Sequence, residues 1–368
     1  MGAFQEKVQS EWEKYQKEKK YELLPNIMLL GASGVGKSSL INTVFGGQFA
    51  AVSDIRPETK GYCTVYKGKQ YGSTVNLIDT AGYELGQGDA YYNEIHHVIS
   101  CGIDEGPIHI IWYCISITNE RIQDIDLETL HRLMGEESIR NRICIVFTKC
   151  DEDTEKGEKA SALRSVLVEK INVPIHSFET SAKGFDLQLP KLIRWSADSI
   201  DNDDLRKNFI AAQMTDLDTK KKEAQQIIAV ASAAAAGVGV TPIPFSDAVL
   251  LVPIQVGMIG KIIDVYGVSN LAHISTAVVS DVIISQLGKS MVSGLLKLVP
   301  VVGQIVGSVI NAGVASSLTG SIGMVTSEIC YRNLKKALAG QPVIWDDLFT
   351  SEEFVGFVKE AMRGTKHE

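Results

Sequence analysis

The 368-residue chain is long enough for two domains, each with its own core. With 45% hydrophobic and 22% charged residues it reads as globular, not disordered. A net charge of −8 argues against general affinity for nucleic acid and against a chain-wide pull toward anionic lipid. The six cysteines (Cys63, Cys101, Cys114, Cys144, Cys150, Cys330) are scattered without a C-x-x-C pair. That usage suits reduced, packed thiols in a cytoplasmic protein, and the charged N-terminus has no apolar signal-peptide core.

In chain order, residues 4–22 mix five Glu with five Lys around Phe4, Val8, Trp12, Tyr15 and Tyr21, an amphipathic helical pattern. An apolar strand from Ile27 to Leu30 runs into Gly31-Ala-Ser-Gly-Val-Gly36-Lys37-Ser38, which fits G-x-x-x-x-G-K-[ST]. A helical pattern follows, with Leu40, Ile41, Val44 and Phe45 on one face. Strands are expected at 62–66 and 74–78 with a hairpin turn region over 67–72, then at 108–117, 142–147 and 175–180. Helices are expected at 90–100, 122–133, 158–170 and 187–199. The alternation gives an α/β domain over 26–198, a mostly parallel sheet with helices on both faces. Ligands on such sheets sit beyond the carboxyl ends of the strands.

The polar signatures fall at those ends. Backbone N–H groups of Ser33, Gly34, Val35 and Gly36, and of Lys37, Ser38 and Ser39 at the helix start, form a phosphate cradle. Lys37 reaches β- and γ-phosphates and the Ser38 hydroxyl holds Mg²⁺. Asp79 and Gly82 form D-x-x-G: the carboxylate is a second metal group, and Gly82 lets the backbone approach a γ-phosphate. Thr148-Lys149-Cys150-Asp151 fits [NT]-K-x-D, in which a carboxylate accepts two N–H bonds from the guanine edge. Ser181-Ala182-Lys183 offers a backbone N–H to the guanine carbonyl. His96-His97, adjacent on a helix, point to different faces, which argues against a metal pair.

On these residues the segment 26–198 resembles a P-loop GTPase domain of the translation-factor-related class, closest in style to the Era-like bacterial GTPases. The resemblance implies GTP as substrate, GDP as product, Mg²⁺ as cofactor, and two switch segments, about 50–62 and 80–93. It places the switch threonine, a metal and catalytic group, at Thr59, with Thr64 as a second candidate. Arg56 lies three residues before Thr59, the spacing at which G-protein α subunits carry an internal arginine finger; the alternative is a solvated loop arginine. Two departures stand out. Tyr83 occupies the position after D-x-x-G where Ras-like relatives have glutamine, with Gln87 nearby. Gly34 replaces the asparagine of potassium-activated relatives. Slow intrinsic turnover follows, accelerated by a partner or by self-association.

Residues 199–223 read as a charged helical linker. From 224 to 344 the chain is apolar, with helices expected at 227–236, 248–263, 272–287, 291–299 and 305–330, and 345–368 is an amphipathic tail. Thr241-Pro-Ile-Pro-Phe-Ser-Asp247 with its following apolar helix resembles the YcjF-like domain. A looser likeness to immunity-related and dynamin-like GTPases implies that the N-terminal helix, residues 1–25, joins the C-terminal helices in one all-α body. The uncharged stretch 298–327 is long enough to span a bilayer as one helix, but its Gly, Ser, Asn and Thr content suits a dry bundle better. The leading expectation is a GTPase switch acting on a helical effector domain. The alternative is a mechanochemical GTPase that oligomerises and associates peripherally with membranes.

Overall fold

A computed structural model describes residues 2–18, 23–46, 58–60, 63–71, 73–82, 88–119, 121–153, 157–183, 187–240, 243–244, 250–268, 309–310, 312–339, 341 and 343. The chain divides into two compact units, residues 21–216 and residues 1–20 with 217–368.

The first unit holds a seven-stranded sheet: β1 (Asn26–Leu30), β2 (Glu58–Lys60), β3 (Cys63–Tyr66), β4 (Asn76–Thr80), β5 (Ile108–Ser116), β6 (Ile143–Thr148) and β7 (Ser177–Glu179). Their order is β2-β3-β4-β1-β5-β6-β7. The β2–β3 and β3–β4 pairings are antiparallel and the other four parallel. β1 and β6 are buried along their whole length and β5 almost so. That is what continuous apolar runs such as Ile-Ile-Trp-Tyr-Cys-Ile require when both faces of a sheet are covered.

The helices of this unit are α2 (Lys37–Phe45), α3 (Gly88–Cys101), α4 (Asp124–Gly135), α5 (Glu137–Arg140), α6 (Glu158–Ile171), α7 (Leu189–Asp198) and α8 (Asp203–Ala212). Each longer one buries a 3–4-spaced stripe, as with Tyr91, Ile95 and Ile99 on α3 and Leu189, Leu192, Ile193 and Ser196 on α7. The Asn202 side chain caps α8, accepting from the N–H groups of Asp204 and Leu205, each at 3.0 Å. The expected hairpin turn at 67–72 contains a 3-10 turn, Gly68–Tyr71, fastened by the Gly68 N–H donating to Asn76 Oδ1 at 2.9 Å.

The stretch 199–216, expected as part of a linker, folds onto this first unit. Phe209 is wholly buried, edge-on to Phe45 at 6.1 Å, and Phe45 in turn stacks on Trp112 at 5.9 Å. The Met214 N–H donates to the Val44 carbonyl at 2.7 Å. Gln213, also wholly buried, closes the turn that follows: its Oε1 accepts from the N–H groups of Thr215 and Asp216, and its Nε2 donates to the Asp216 carbonyl. Arg194 then holds the Asp216 carboxylate at 2.8 Å. The expected helical character holds, with a helix over Asp203–Ala212, but Phe209, Gln213 and Met214 make residues 199–216 part of the first unit instead of a connector between units.

The second unit combines α1 (Gly2–Glu18) with α9 (Leu217–Val238), α10 (Val252–Val265) and α11 (Ala312–Leu338), and a two-residue pairing of β8 (Ile243–Pro244) with β9 (Val309–Ile310). The N-terminal helix therefore does join the C-terminal ones. Tyr15 on α1 donates to Asp264 Oδ2 at 2.6 Å, and its ring lies so close to Gly260 that a Cβ there would collide with it. Gly323 on α11 meets Ile228 and Met258 in the same way. Helix α9 begins seven residues before the apolar region expected from 224. The stretch 298–327 is not one helix, because β9 interrupts it before α11 starts at Ala312. Among the described residues no helix is long and apolar enough to cross a membrane. The helices expected at 272–287 and 291–299 and the tail from 345 lie outside the described residues.

Candidate functional site

The parallel register puts the chemistry in one place. Leu29 of β1 pairs with Asp79 of β4, and Ser116 of β5 with Thr148 of β6. The carboxyl ends of β1, β4, β6 and β7, where the signatures fall, thus share one rim of the sheet.

The loop from Gly31 to Gly36 leaves β1 through a glycine at φ +126°, where an added Cβ would strike the Cys114 carbonyl of β5. Only glycine fits such a backbone in such a space. The chain then turns into α2 with Lys37 buried and Ser38 and Ser39 exposed at its start. Lys37 Nζ donates to the carbonyls of Gly31 and Ala32 at 2.9 and 3.0 Å. Desolvation lowers the Lys37 pKa, opposed chiefly by Asp79. Its ammonium is therefore a poorly solvated cation hydrogen-bonded to two neutral carbonyls, a group that gains from an anion.

Asp79 is the complementary case. Its Oδ2 accepts from the Ser38 hydroxyl at 2.9 Å, while Oδ1 is buried with no hydrogen-bond partner among the described residues. Desolvation raises this carboxyl's pKa, offset by Lys37 and by Ser38. A bare buried carboxylate oxygen beside a serine hydroxyl is the donor set of a hard divalent cation, and the pair fits Mg²⁺. Gly82 lies where a Cβ would collide with the backbone of Ala32 and Ser33, so D-x-x-G and the phosphate loop touch main chain to main chain.

At the other end of the rim Thr148 is buried. Its hydroxyl donates to the Val35 carbonyl and, at 3.4 Å, to that of Ile115. It ties the phosphate loop to β5 and β6, a bracing role that the motif alone did not disclose. Lys149 has φ +58°, a sparsely populated conformation for a residue with a side chain. The turn it makes sets Asp151 beside the next signature: Ser181 Oγ donates to Asp151 Oδ1, and Lys183 Nζ stands 3.7 Å from Oδ2. The Ser181 hydrogen bond is the main reason the Asp151 carboxyl is held below its ordinary range. The Lys183 N–H donates to Ser181 Oγ at 2.9 Å.

The rim thus brings together Lys37, Ser38, Asp79 and Gly82 at one end and Asp151, Ser181 and Lys183 at the other. Thr59 lies on β2 opposite Thr64 of β3, which in turn pairs with Asp79 on β4, so Thr64 is one strand and Thr59 two strands from Asp79 in the same register. Arg56, Tyr83 and Gln87 lie outside the described residues. His96 Nε2 pairs with Glu136 at 2.7 Å, on a surface between α3 and α5.

Residues 25–177 match the AIG1 family. Immune-associated nucleotide-binding protein 3 of Arabidopsis thaliana is 31% identical over 138 residues, which are 36% of this chain and 40% of that protein. GTPase Der of Brevibacillus brevis is 30% identical over 113 residues, 30% of this chain and 24% of that one. The chain spans less than half the length of either relative. A crystal structure of Toc33 from Arabidopsis thaliana with GDP and Mg²⁺ aligns over 50% of this chain and 79% of its own, at 20% identity and a TM-score of 0.32. A likeness that faint says nothing about ligands. The sheet that gathers these four strand ends on one rim gives residues 21–216 the fold of a P-loop GTPase domain, and within them residues 25–177 are similar to the AIG1 family.

Proposed function

We propose that the chain binds GTP and GDP with Mg²⁺ on this rim, hydrolyses GTP to GDP and phosphate, and uses the bound nucleotide as a switch on its helical unit. The observation that carries the reading is the opposed pair beside the phosphate loop: a Lys37 ammonium held by two carbonyls, and an Asp79 carboxylate with one bare oxygen next to Ser38.

A bound Mg²⁺, held by Ser38, Asp79 and Thr59, would neutralise charge on the β- and γ-phosphate oxygens. Lys37 would turn from its two carbonyls to those oxygens. The N–H groups of Ser33 to Ser39 would line the phosphates, and Gly82 would meet the γ-phosphate. Asp151 would read the guanine edge, with Lys149 along the base plane and the Ala182 N–H on its carbonyl oxygen. Arg56 is our candidate for stabilising charge on the γ-phosphate. With Tyr83 after D-x-x-G, intrinsic turnover is slow, and self-association or a partner raises it.

A second reading is favoured by the union of α1 with α9, α10 and α11 in one unit. Helices from both sides of the GTPase domain in sequence would then form one body, as in immunity-related and dynamin-like GTPases, that oligomerises and meets membranes peripherally from the cytoplasm. The Era-like style of the GTPase domain and the YcjF-like style of residues 224–335 rest on the motifs quoted above.

Three measurements test these readings. Purified protein should retain GDP or GTP at micromolar concentration and reject ATP; failure of either refutes the proposal. Turnover per molecule should rise with protein concentration, together with oligomeric size in a GTP analogue relative to GDP. Flotation with liposomes, with and without the analogue, separates the switch from the membrane reading.

A further inference from the structure

Strand β7 stands at one end of the sheet order, has three residues, and pairs with β6 and with no other described strand. So short an edge strand has little ladder of its own to fix it. Yet Ser181 and Ala182, which the guanine reading sets beside Asp151, follow directly beyond its end. Successive side chains of a strand point to opposite faces. Phe178 goes one way and is buried, its ring 6.0 Å from that of Trp195 on α7. Ser177 and Glu179 go the other way, and both meet Arg164 of α6. Its Nε donates to Ser177 Oγ at 2.8 Å and its Nη2 to Glu179 Oε1 at 2.7 Å. The guanidinium carbon also lies 5.9 Å from the centre of the Phe147 ring of β6. One rigid planar fork therefore holds two residues of β7 at once, which a lysine could not do.

A chain of hydrogen bonds carries that grip to the base-reading residues. Thr180, the residue after Glu179, gives both its N–H and its hydroxyl to the Phe147 carbonyl, at 2.8 and 2.9 Å. Its own carbonyl accepts from the Cys150 N–H at 3.0 Å. Ser181 then donates to the Asp151 carboxylate. Helix α6 is fastened next to the same turn at its other end, where the Gly157 N–H donates to Asp153 Oδ2 at 3.1 Å. Arg164 thus joins a helix anchored beside Asp151 to the strand that delivers Ser181 and Ala182.

We infer that Arg164 is a positioning residue for guanine recognition: by clamping β7 to α6 it holds Ser181 and Ala182 at the distance from Asp151 that one purine edge requires. It touches no substrate. The inference rests on the guanine reading above.

The test compares Arg164→Met with the unaltered chain in GDP affinity and in the single-turnover hydrolysis rate at saturating GTP. The expected result is an affinity about tenfold weaker, the worth of one hydrogen bond to the base, with a saturated rate changed less than threefold, because the phosphate loop does not rest on β7. A fall in rate matching the fall in affinity marks a merely structural arginine and overturns the inference, as does an affinity within twofold of the unaltered chain. A double-mutant cycle supplies a second readout: in a Ser181→Ala background the tie from β7 to Asp151 is already gone, so Arg164→Met should cost less than threefold further, and a full tenfold loss there overturns the inference. Arg164→Lys keeps the charge without the fork and serves where the methionine variant does not fold. It should weaken GDP binding at least about threefold; full affinity overturns the inference. If the unaltered chain binds ADP as tightly as GDP, the guanine reading itself has failed and the inference falls with it, whereas a preference for GDP that Arg164→Met leaves untouched sinks the inference alone.

Discussion

Asp151→Asn should move this site from guanine toward xanthine. Guanine offers a ring N–H and an exocyclic amino group on one edge, and a carboxylate accepts from both. An asparagine in the same place keeps one acceptor and turns a donor toward the amino group. One charge-assisted bond, worth about 1.5–3 kcal/mol, is lost, and two donors are left facing each other. The sum, about 3–4 kcal/mol, predicts a 10²- to 10³-fold weaker affinity for GDP. In xanthine a carbonyl replaces the amino group, so the asparagine donor finds a partner and most of the affinity returns. The local frame should survive, because Ser181 Oγ donates to Oδ1, an acceptor that asparagine retains. The same hydrogen bond holds the wild-type carboxyl ionised below its ordinary range, so guanine affinity should not decline through this group between pH 7 and pH 5. Titration with GDP and xanthosine diphosphate provides the measurement. A loss of GDP affinity below threefold, or an equal loss for both nucleotides, refutes the assignment.

Gly31→Ala should place a methyl against the Cys114 carbonyl at a φ of +126° and destabilise the first unit by at least about 3 kcal/mol; an unchanged unfolding midpoint contradicts this. Gln213→Ala removes the side chain that serves both N–H groups and the carbonyl of the 213–216 turn. It should cost about 2–4 kcal/mol in denaturant unfolding, against near zero if the segment were a solvated linker. Lys220 is wholly buried, donates to the Val265 carbonyl at 2.8 Å, and is held by desolvation at about 7 instead of 10.5. Between those values the unfolded chain binds the extra proton, so stability of the helical unit rises with pH across the window and falls as pH drops toward 7. Lys220→Met should flatten that slope in melting midpoints taken from pH 6 to pH 10, and parallel slopes for both proteins rule it out.

The sequence by itself determined the motifs on which the proposed chemistry rests. The phosphate loop needs glycines at fixed offsets and a lysine and serine at a helix start, D-x-x-G needs a carboxylate and a bare glycine, and base reading needs a carboxylate after a strand. Such requirements are local, so they survive as strings, and the continuous apolar runs of β1, β5 and β6 likewise declare a doubly covered sheet. What only the tertiary structure decided depends on partners distant in the chain. Thr148 braces Val35 across 113 residues, Tyr91 meets Gly31 across 60, and Phe209 finds Phe45, turning a charged linker into part of the domain. Nothing in a residue's neighbours along the chain records which carbonyl or ring will face it once the sheet has closed, because those contacts are set by strand order and helix placement. For the same reason β9 cuts the uncharged stretch that composition alone would allow as one long helix.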